Sequence, residues 1–288
     1  MSISIFGAPM KYGADVDGLE DSINSLVKYN KKLKDKIKVV EVKKDDKKSP
    51  RNLKHIGIIS DYCNKLARIV NKEIEHSNFP LVIGGDHSVA LGSVSGVSKK
   101  KNIGLFWIDA HGDFNTDKTT YSGHVHGMPL AAIAGLGDNR LANCYYSGPK
   151  VKNNNIILLG TRDFDDKEAE LIQQNNILNI SSRKVEKDGV IKDVQLALNH
   201  LDSNIDGIHI SLDLDVIDPS ICPGVSVAAP KGLKYDDVEK ILKIIFATGK
   251  VISMDIVEYN PKNDIDCQTV DILNRTIELV ERLAIKLE

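Results

Sequence analysis

The sequence predicts an α/β fold: a single three-layer α-β-α domain over residues 1–288, with a mainly parallel, roughly eight-stranded sheet. Short apolar runs alternate with amphipathic stretches along the chain, which is typical of parallel strands covered by helices. No internal repeat, Gly/Ser-rich linker or break in composition divides the sequence. Chains of this length can fold as one α/β unit.

Strands are expected where short runs rich in Ile, Leu, Val and Phe stand between polar or glycine-containing stretches. They lie near Ile3 to Phe6, Ile37 to Val42, Pro80 to Ile83, Ile103 to Ile108, Ile156 to Leu159, Ile177 to Ile180, Gly207 to Leu214 and Val251 to Ile256.

Helices are expected where apolar residues recur at spacings of three and four, as Val270, Leu273, Ile277 and Val280 do. They lie near Gly18 to Lys34, Gly57 to His76, Val89 to Ser98, Met128 to Ala134, Lys167 to Gln174, Val185 to Leu201, Tyr235 to Ala247 and Cys267 to Leu287.

Composition excludes several classes of protein. Hydrophobic residues at 42%, charged residues at 27% and a net charge of −2 are ordinary globular values. The basic clusters Lys31 to Lys38 and Lys43 to Lys54 contain no interleaved aromatic side chains, so nucleic acid is not an expected partner.

Cysteine usage and the N-terminus predict a cytoplasmic protein. The 4 cysteines are widely separated and form no Cys-x-x-Cys pair, which favours free thiols in a reducing compartment. The N-terminus lacks a charged region followed by an apolar core. No run approaches the roughly 18 apolar residues that a membrane span needs.

Potential metal ligands follow the predicted strand Ile103 to Ile108. Asp109, His111 and Asp113 alternate along the chain, and side chains two apart on an extended segment point the same way. Carboxylates this close are costly to bury without a cation between them. The solvated end of a strand is the alternative explanation for this stretch taken alone.

Two further strand ends carry similar residues. His87 follows an apolar strand and the pair Gly84 and Gly85, which permits a tight turn at the edge where α/β sheets bind ligands. Asp213 and Asp215 end another apolar run, again on one face.

Together these positions supply imidazoles and carboxylates for a two-metal site. The set is His87, Asp109, His111, Asp113, Asp213 and Asp215. Oxygen-rich ligation with some imidazole suits manganese, and the negative charges match two Mn²⁺ ions per chain. Two such ions would acidify a bridging water into a hydroxide nucleophile.

The segments Gly84 to Ser88, Asp109 to Asp113 and Ser211 to Pro219 together resemble the signature segments of the ureohydrolase superfamily, which includes arginases and agmatinases. The resemblance extends from the first strand to the last helix. It implies a binuclear manganese hydrolase that is assembled as a homo-oligomer, either a trimer or a hexamer.

Within that superfamily, the segments that contact the substrate most resemble those of arginases. The resemblance implies that L-arginine is hydrolysed to L-ornithine and urea. The residues that would contact the amino-acid end of the substrate are Asn115, Ser122, His124, Asp165 and Glu168. Asp165 and Glu168 also suit the start of a helix, where acidic side chains favour the helix dipole.

The resemblance also implies the catalytic roles. Asp113 would pass a proton to the departing amine, His126 would exchange protons with bulk water, and Glu258 would orient the guanidinium group. A surface position after a strand is the structural alternative for Glu258.

Two departures from the arginase pattern leave alternatives open. His124 stands where arginases usually have Asn, and Val227 stands at the position of an active-site Thr. Other guanidino or formimino substrates, namely agmatine, guanidinobutyrate or formimidoylglutamate, are therefore alternatives. A non-catalytic member of the superfamily is a third hypothesis.

Overall fold

One central sheet organises the protein. The structure, a computed structural model, describes residues 2–44 and 48–285. The strands are β1 (Ile3–Ala8), β2 (Ile37–Val39), β3 (Phe79–Gly84), β4 (Ile103–Ile108), β5 (Ile156–Thr161), β6 (Leu178–Ser181), β7 (Gly207–Asp213) and β8 (Val251–Val257). They form an 8-stranded sheet in the order β2-β1-β3-β8-β7-β4-β5-β6, and all strand pairs are parallel. The predicted fold class is confirmed.

Helices cover both faces of this sheet. They are α1 (Ser22–Tyr29), α2 (Ile56–Glu75), α3 (Ala90–Ser98), α4 (Pro129–Ile133), α5 (Asn139–Ala142), α6 (Asp166–Gln174), α7 (Ser182–Asp188), α8 (Val190–His200), α9 (Tyr235–Phe246) and α10 (Gln268–Ile285). One core contains side chains of α1 and α7 to α10, and the other contains side chains of α2 to α6. The fold is therefore a three-layer α-β-α sandwich.

The central strands are continuous apolar runs because both of their faces are covered. Every residue of β3, β4 and β5 is buried. This is the pattern that a parallel sheet between two helical layers requires. In the described residues, no helix combines the length and the apolar character needed to cross a membrane.

Two predicted helices are interrupted. The helix expected over Gly18 to Lys34 stops at Tyr29, because Asn30 is extended and its side chain caps a separate 3-10 turn at Lys31–Leu33. The helix expected over Val185 to Leu201 is two helices, separated by Gly189 with φ of +91°. A left-handed residue cannot continue a right-handed helix.

Smaller differences concern the ends of elements. Strand β2 is shorter than predicted and ends at Val39, as edge strands often do. The short helix α5 was not predicted, because four residues carry no readable periodicity. The expected end of the last helix, Leu287, and part of the basic cluster Lys43 to Lys54 lie outside the described residues.

Candidate metal centre and active site

The predicted ligands meet at one edge of the sheet. His87 begins a 3-10 turn soon after β3, Asp109 follows β4 directly, and Asp213 ends β7. Strand β8 lies between β3 and β7, so four neighbouring strands direct their carboxyl ends to this region. Ligand sites of open α/β sheets lie at such edges.

A tight backbone approach precedes His87. A side chain at Gly85 would place its Cβ 1.9 Å from the carbonyl oxygen of Met10. Only glycine fits there, because no other residue leaves room for that oxygen. The turn that presents His87 therefore depends on the glycine predicted to allow it.

The first potential metal position is formed by His87, Asp109 and Asp213, whose ligand atoms lie within 4.8 Å of one another. His87 Nδ1 is 3.0 Å from Asp109 Oδ2, 3.0 Å from Asp113 Oδ2 and 3.1 Å from Asp213 Oδ2. The same nitrogen is buried and has no hydrogen-bond partner of acceptable geometry. One unpaired nitrogen surrounded by several carboxylate oxygens is the arrangement expected of atoms that bind the same metal ion.

The second potential position is formed by Asp109, His111 and Asp215. His111 Nδ1 is 3.0 Å from Asp215 Oδ2 and 3.5 Å from Asp109 Oδ1. Asp109 belongs to both groups and is fully buried. Its carboxylate can therefore bridge two adjacent cations.

The electrostatics of the cluster fit a divalent cation. Among the described residues, no Lys or Arg side chain forms an ion pair with Asp109, Asp113, Asp213 or Asp215. Burial, together with the neighbouring carboxylates, raises the pKa of Asp213 well above its usual value and that of Asp113 to about 6. Burial disfavours protonated His87, yet the carboxylates outweigh it and raise its pKa. A cation among these groups would relieve the repulsion.

Two residues at this edge have left-handed backbone conformations. Asp113 has φ of +48° and Glu258 has φ of +67°. Such conformations are uncommon for residues other than glycine, and they cluster at functional sites. Both were predicted to act directly on the substrate.

A cavity of about 200 Å³ opens above the cluster. Its size suits a small ligand rather than a large cofactor. It is lined by His111, Asp113, Asn115, Ser122, His126, Gly127, Asp163, Phe164, Asp165, Glu168, Asp213, Asp215, Val227 and Glu258.

Glu258 follows β8 and links the cavity to the ligand His87. Its Oε1 accepts a hydrogen bond from the backbone N–H of His87 at 2.8 Å and lies 3.1 Å from His126 Nδ1. Its Oε2 is buried and has no hydrogen-bond partner in the part of the chain that the structure describes. Burial opposes protonation of His126, but Glu258 raises the His126 pKa to about 9. The unpaired oxygen can accept a hydrogen bond from a ligand that enters the cavity.

Comparison with known proteins identifies the family. The model of the arginase family matches residues 1–287. The chain belongs to the arginase family. It is 35% identical over 296 residues to the arginase of Bacillus subtilis (strain 168), with 98% of this chain and 97% of that protein covered.

Solved structures of the arginase family share the fold. The crystal structure of arginase from Bacillus subtilis superposes with a TM-score of 0.89 at 34% identity, covering 98% of both chains. Arginase from Entamoeba histolytica in complex with L-ornithine superposes with a TM-score of 0.88 at 29% identity, covering 97% of this chain and 98% of that one.

In this member of the arginase family, three predicted substrate residues form one polar wall. Asn115 Nδ2 donates to Asp165 Oδ2 at 3.0 Å. Glu168 Oε1 accepts from the N–H of Phe114 at 2.8 Å, and burial raises the pKa of Glu168 to about 8. Asp165 and Glu168 also form the capping box of α6. The helix-start explanation is therefore correct, and both residues line the cavity as well.

His124 has a different environment from the other predicted substrate residues and is not among the cavity-lining residues. Its Nε2 lies 2.7 Å from Lys54 Nζ. An ammonium group only donates hydrogen bonds, so this nitrogen must accept, and the ring is then neutral. Burial and then Lys54 lower the His124 pKa, which agrees with a neutral ring. Ser122 lines the cavity, and its Oγ accepts from the His124 N–H at 3.1 Å.

Several supporting residues of the metal centre were not predicted. Trp107 Nε1 donates to Asp109 Oδ2 at 2.9 Å, and its ring stacks on His87 with centroids 4.0 Å apart. Buried Asp86 accepts from the backbone N–H groups of Gly13 and Ser88. Asp255 on β8 accepts from Ser211 at 2.5 Å. A polar residue inside an apolar run was the sequence signal for Asp255.

Proposed function

We propose that this protein hydrolyses L-arginine to L-ornithine and urea with two Mn²⁺ ions. The observation that carries the proposal is the pair of ligand groups that share Asp109, beneath a cavity in which Glu258 Oε2 lacks a partner. His87, Asp113 and Asp213 would hold one ion, and His111 and Asp215 the other. Oxygen-rich ligation with imidazole favours manganese. Membership of the arginase family supports the reaction.

When bound, the two ions supply an activated water as the nucleophile. Glu258 binds the planar guanidinium cation through its unpaired oxygen and aligns the central carbon with the metal centre. Asp113 holds the proton released during attack at its carboxylate and passes it to the departing amine. His126, held by Glu258 and 18% exposed at its side chain, exchanges protons with bulk water.

The amino-acid end of arginine is recognised by other polar residues that line the same cavity. Asp165 and Glu168 bind the α-amino group, and Asn115 and Ser122 bind the α-carboxylate. His124 is the third residue proposed for the carboxylate side; it contacts Lys54, and neither side chain is among the cavity-lining residues. The carboxylate of Asp165 gives the charged α-amino group a partner of opposite charge, and the side chains of Asn115 and Ser122 offer hydrogen bonds to the α-carboxylate. The Entamoeba histolytica relative binds L-ornithine, a ligand with the same amino-acid end.

A substrate panel tests this proposal. Initial rates of the Mn²⁺-loaded protein are measured on L-arginine, agmatine, guanidinobutyrate and formimidoylglutamate. We expect kcat/KM for L-arginine to exceed the other values by roughly 100-fold or more, because analogues lacking a charged group leave site groups unpaired. Turnover of agmatine without turnover of L-arginine would contradict the substrate assignment.

Another guanidino or formimino substrate is the second candidate. It is favoured by Val227, which lines the cavity, is 42% exposed and offers no hydroxyl group to a ligand. The same panel distinguishes the two candidates, because each releases a different set of products.

Asp165→Asn tests recognition of the α-amino group. Asn remains a good helix N-cap, so α6 should keep its start and the protein its stability. We expect KM for L-arginine to rise by about 10- to 100-fold, as the loss of one charge-assisted hydrogen bond implies. With 5-guanidinopentanoate, which lacks the α-amino group, the variant and the wild type should have similar KM values. An equal increase in KM for both substrates would exclude this role.

Metal removal tests the cluster independently of turnover. Chelation should lower the melting temperature, because the buried carboxylates again repel one another. At a concentration 100 times Kd, each ion adds about 2.7 kcal/mol to the free energy of unfolding. For a large domain, each kcal/mol of added stability is expected to raise the melting temperature by roughly 2–4 °C. An unchanged melting temperature would contradict the metal site, whereas stabilisation without turnover of any panel substrate would support a non-catalytic member of the family.

For location and assembly we propose a cytoplasmic homo-oligomer, either a trimer or a hexamer. All 4 cysteines lie in the described residues as free thiols, and only Cys267 is exposed, which suits a reducing compartment. Sedimentation velocity of the purified protein tests the assembly, and a monomer at micromolar concentration would contradict it.

A further inference from the structure

A buried polar network lies behind the metal centre, between β7 and β8. In the strand register, His209 is paired with Ser253, and Ser211 is paired with Asp255. All four side chains are at most 1% exposed. They occupy an otherwise apolar part of the sheet, where unsatisfied polar groups would be costly.

Asp255 receives hydrogen bonds on both carboxylate oxygens. Ser211 Oγ donates to Oδ1 at 2.5 Å. Ser93 Oγ donates to Oδ2, and His209 Nε2 lies 2.9 Å from the same oxygen. His209 is in turn held at Nδ1 by Ser253 Oγ at 2.7 Å. The carboxylate is therefore fixed by residues from β7 and α3.

The single hydroxyl proton of Ser211 determines which nitrogen of His87 carries a proton. Because Ser211 donates that proton to Asp255, its oxygen can only accept from His87 Nε2, which lies 2.9 Å away. A proton on Nε2 leaves Nδ1 with a free lone pair. Nδ1 is the unpaired nitrogen that faces the carboxylates of Asp109 and Asp213.

We propose that Asp255, held by His209 and Ser93, is a positioning residue for the metal centre that keeps the Nδ1 lone pair of His87 directed at the metal. Asp255 acts through Ser211 and does not touch the metal or the substrate. The inference rests on the metal centre proposed above. It explains why a charged residue is retained in the middle of a buried strand.

The two potential metal positions differ in this respect. His87 Nε2 is hydrogen-bonded to the network, whereas His111 Nε2 forms no hydrogen bond among the described residues and lies 4.0 Å from Asp163 Oδ2. Loss of Asp255 should therefore lower the metal affinity of the position that contains His87 and leave the affinity of the position that contains His111 unchanged. A general loss of packing would affect both positions alike.

The experiment is a titration of Mn²⁺ into metal-free wild type and Asp255→Asn by calorimetry. Asn has nearly the same size, but its amide can donate to Ser211, which then donates to His87 Nε2 and moves the imidazole proton to Nδ1. We expect one of two binding steps to weaken by about 10- to 100-fold, the usual cost of losing support behind a ligand. The other step should keep its wild-type affinity.

Asp193→Asn is the matched control. Asp193 is also fully buried and paired with a cation, Lys184 Nζ at 2.6 Å, but it lies on α8 outside the site. This variant should bind Mn²⁺ as the wild type does. If Asp255→Asn does not fold, Ser211→Ala removes the same link, and Ser211→Thr, which keeps the hydroxyl group, should restore binding.

The outcomes separate this inference from the proposed function. Wild-type affinity at both positions in Asp255→Asn, or in Ser211→Ala where the first variant does not fold, would overturn it. Equal weakening of both positions would also overturn it. A wild-type chain that binds no Mn²⁺ would overturn the proposed metal centre as well.

Discussion

Asp109→Asn is expected to abolish binding of both metal ions and to lower kcat/KM for L-arginine by about 1,000-fold or more. Asp109 is the one residue shared by the two ligand groups, so its charge acts on both positions. Metal ions contribute several kcal/mol of charge stabilisation to such reactions, and each 1.36 kcal/mol is a factor of ten in rate. Mn²⁺ titration of the metal-free variant and initial rates of urea release measure the two effects.

The control for this variant separates a lost ligand from a lost fold. Asp193→Asn removes another fully buried charge and should keep both Mn²⁺ ions and the rate. An Asp109→Asn protein that still binds two ions with wild-type affinity would show that the carboxylate is not the bridging ligand.

Glu258→Gln should keep both metal ions and still lose nearly all activity. Its buried Oε2 has no hydrogen-bond partner among the described residues, and the proposed partner is the substrate guanidinium. Breaking a buried pair of charges costs about 3–5 kcal/mol, which is roughly two to nearly four orders of magnitude in kcat/KM. Rates at saturating Mn²⁺, together with a parallel metal titration, distinguish this loss from the loss caused by Asp109→Asn.

The neutral amide of the variant is a conservative probe, because its oxygen can still accept from the His87 N–H. The position of His87 should therefore be preserved. Activity within tenfold of the wild type would exclude Glu258 as the guanidinium-binding residue.

The ligand set could be predicted because each ligand lies at the end of an apolar run or within a few residues after it. Asp109 follows Ile108, Asp213 ends the strand that begins at Gly207, and Asp215 lies in the 3-10 turn directly after it. Parallel strands bring their carboxyl ends to one edge, so strand ends far apart in sequence meet in space. The alternation of Asp109, His111 and Asp113 needed no knowledge of the strand order.

The network around Asp255 could not be predicted in the same way. His209 and Ser211 share a face of β7 with Asp213, which is visible in the sequence. Their partners on β8 are more than forty residues away, at separations of 44 and 46. Only the strand order, which places β8 beside β7, makes Asp255 a neighbour of Ser211.

The breaks between helices were harder to predict from the sequence than the metal ligands. Asn30 and Gly189 interrupt otherwise helical patterns, and apolar spacing continues across each of them. Gly189 has a positive φ, which apolar periodicity does not encode. The environment of His124 could not be predicted from the sequence either, because its partner Lys54 is 70 residues away along the chain.

The measurement that tests the central claim most directly is urea release from L-arginine as Mn²⁺ is added stepwise to the metal-free protein. We expect the rate to rise until two equivalents per chain have been added and then to remain constant, because both ions would be needed to activate the attacking water. A plateau at one equivalent, or no urea at any Mn²⁺ concentration, would contradict the proposed two-metal hydrolysis of L-arginine.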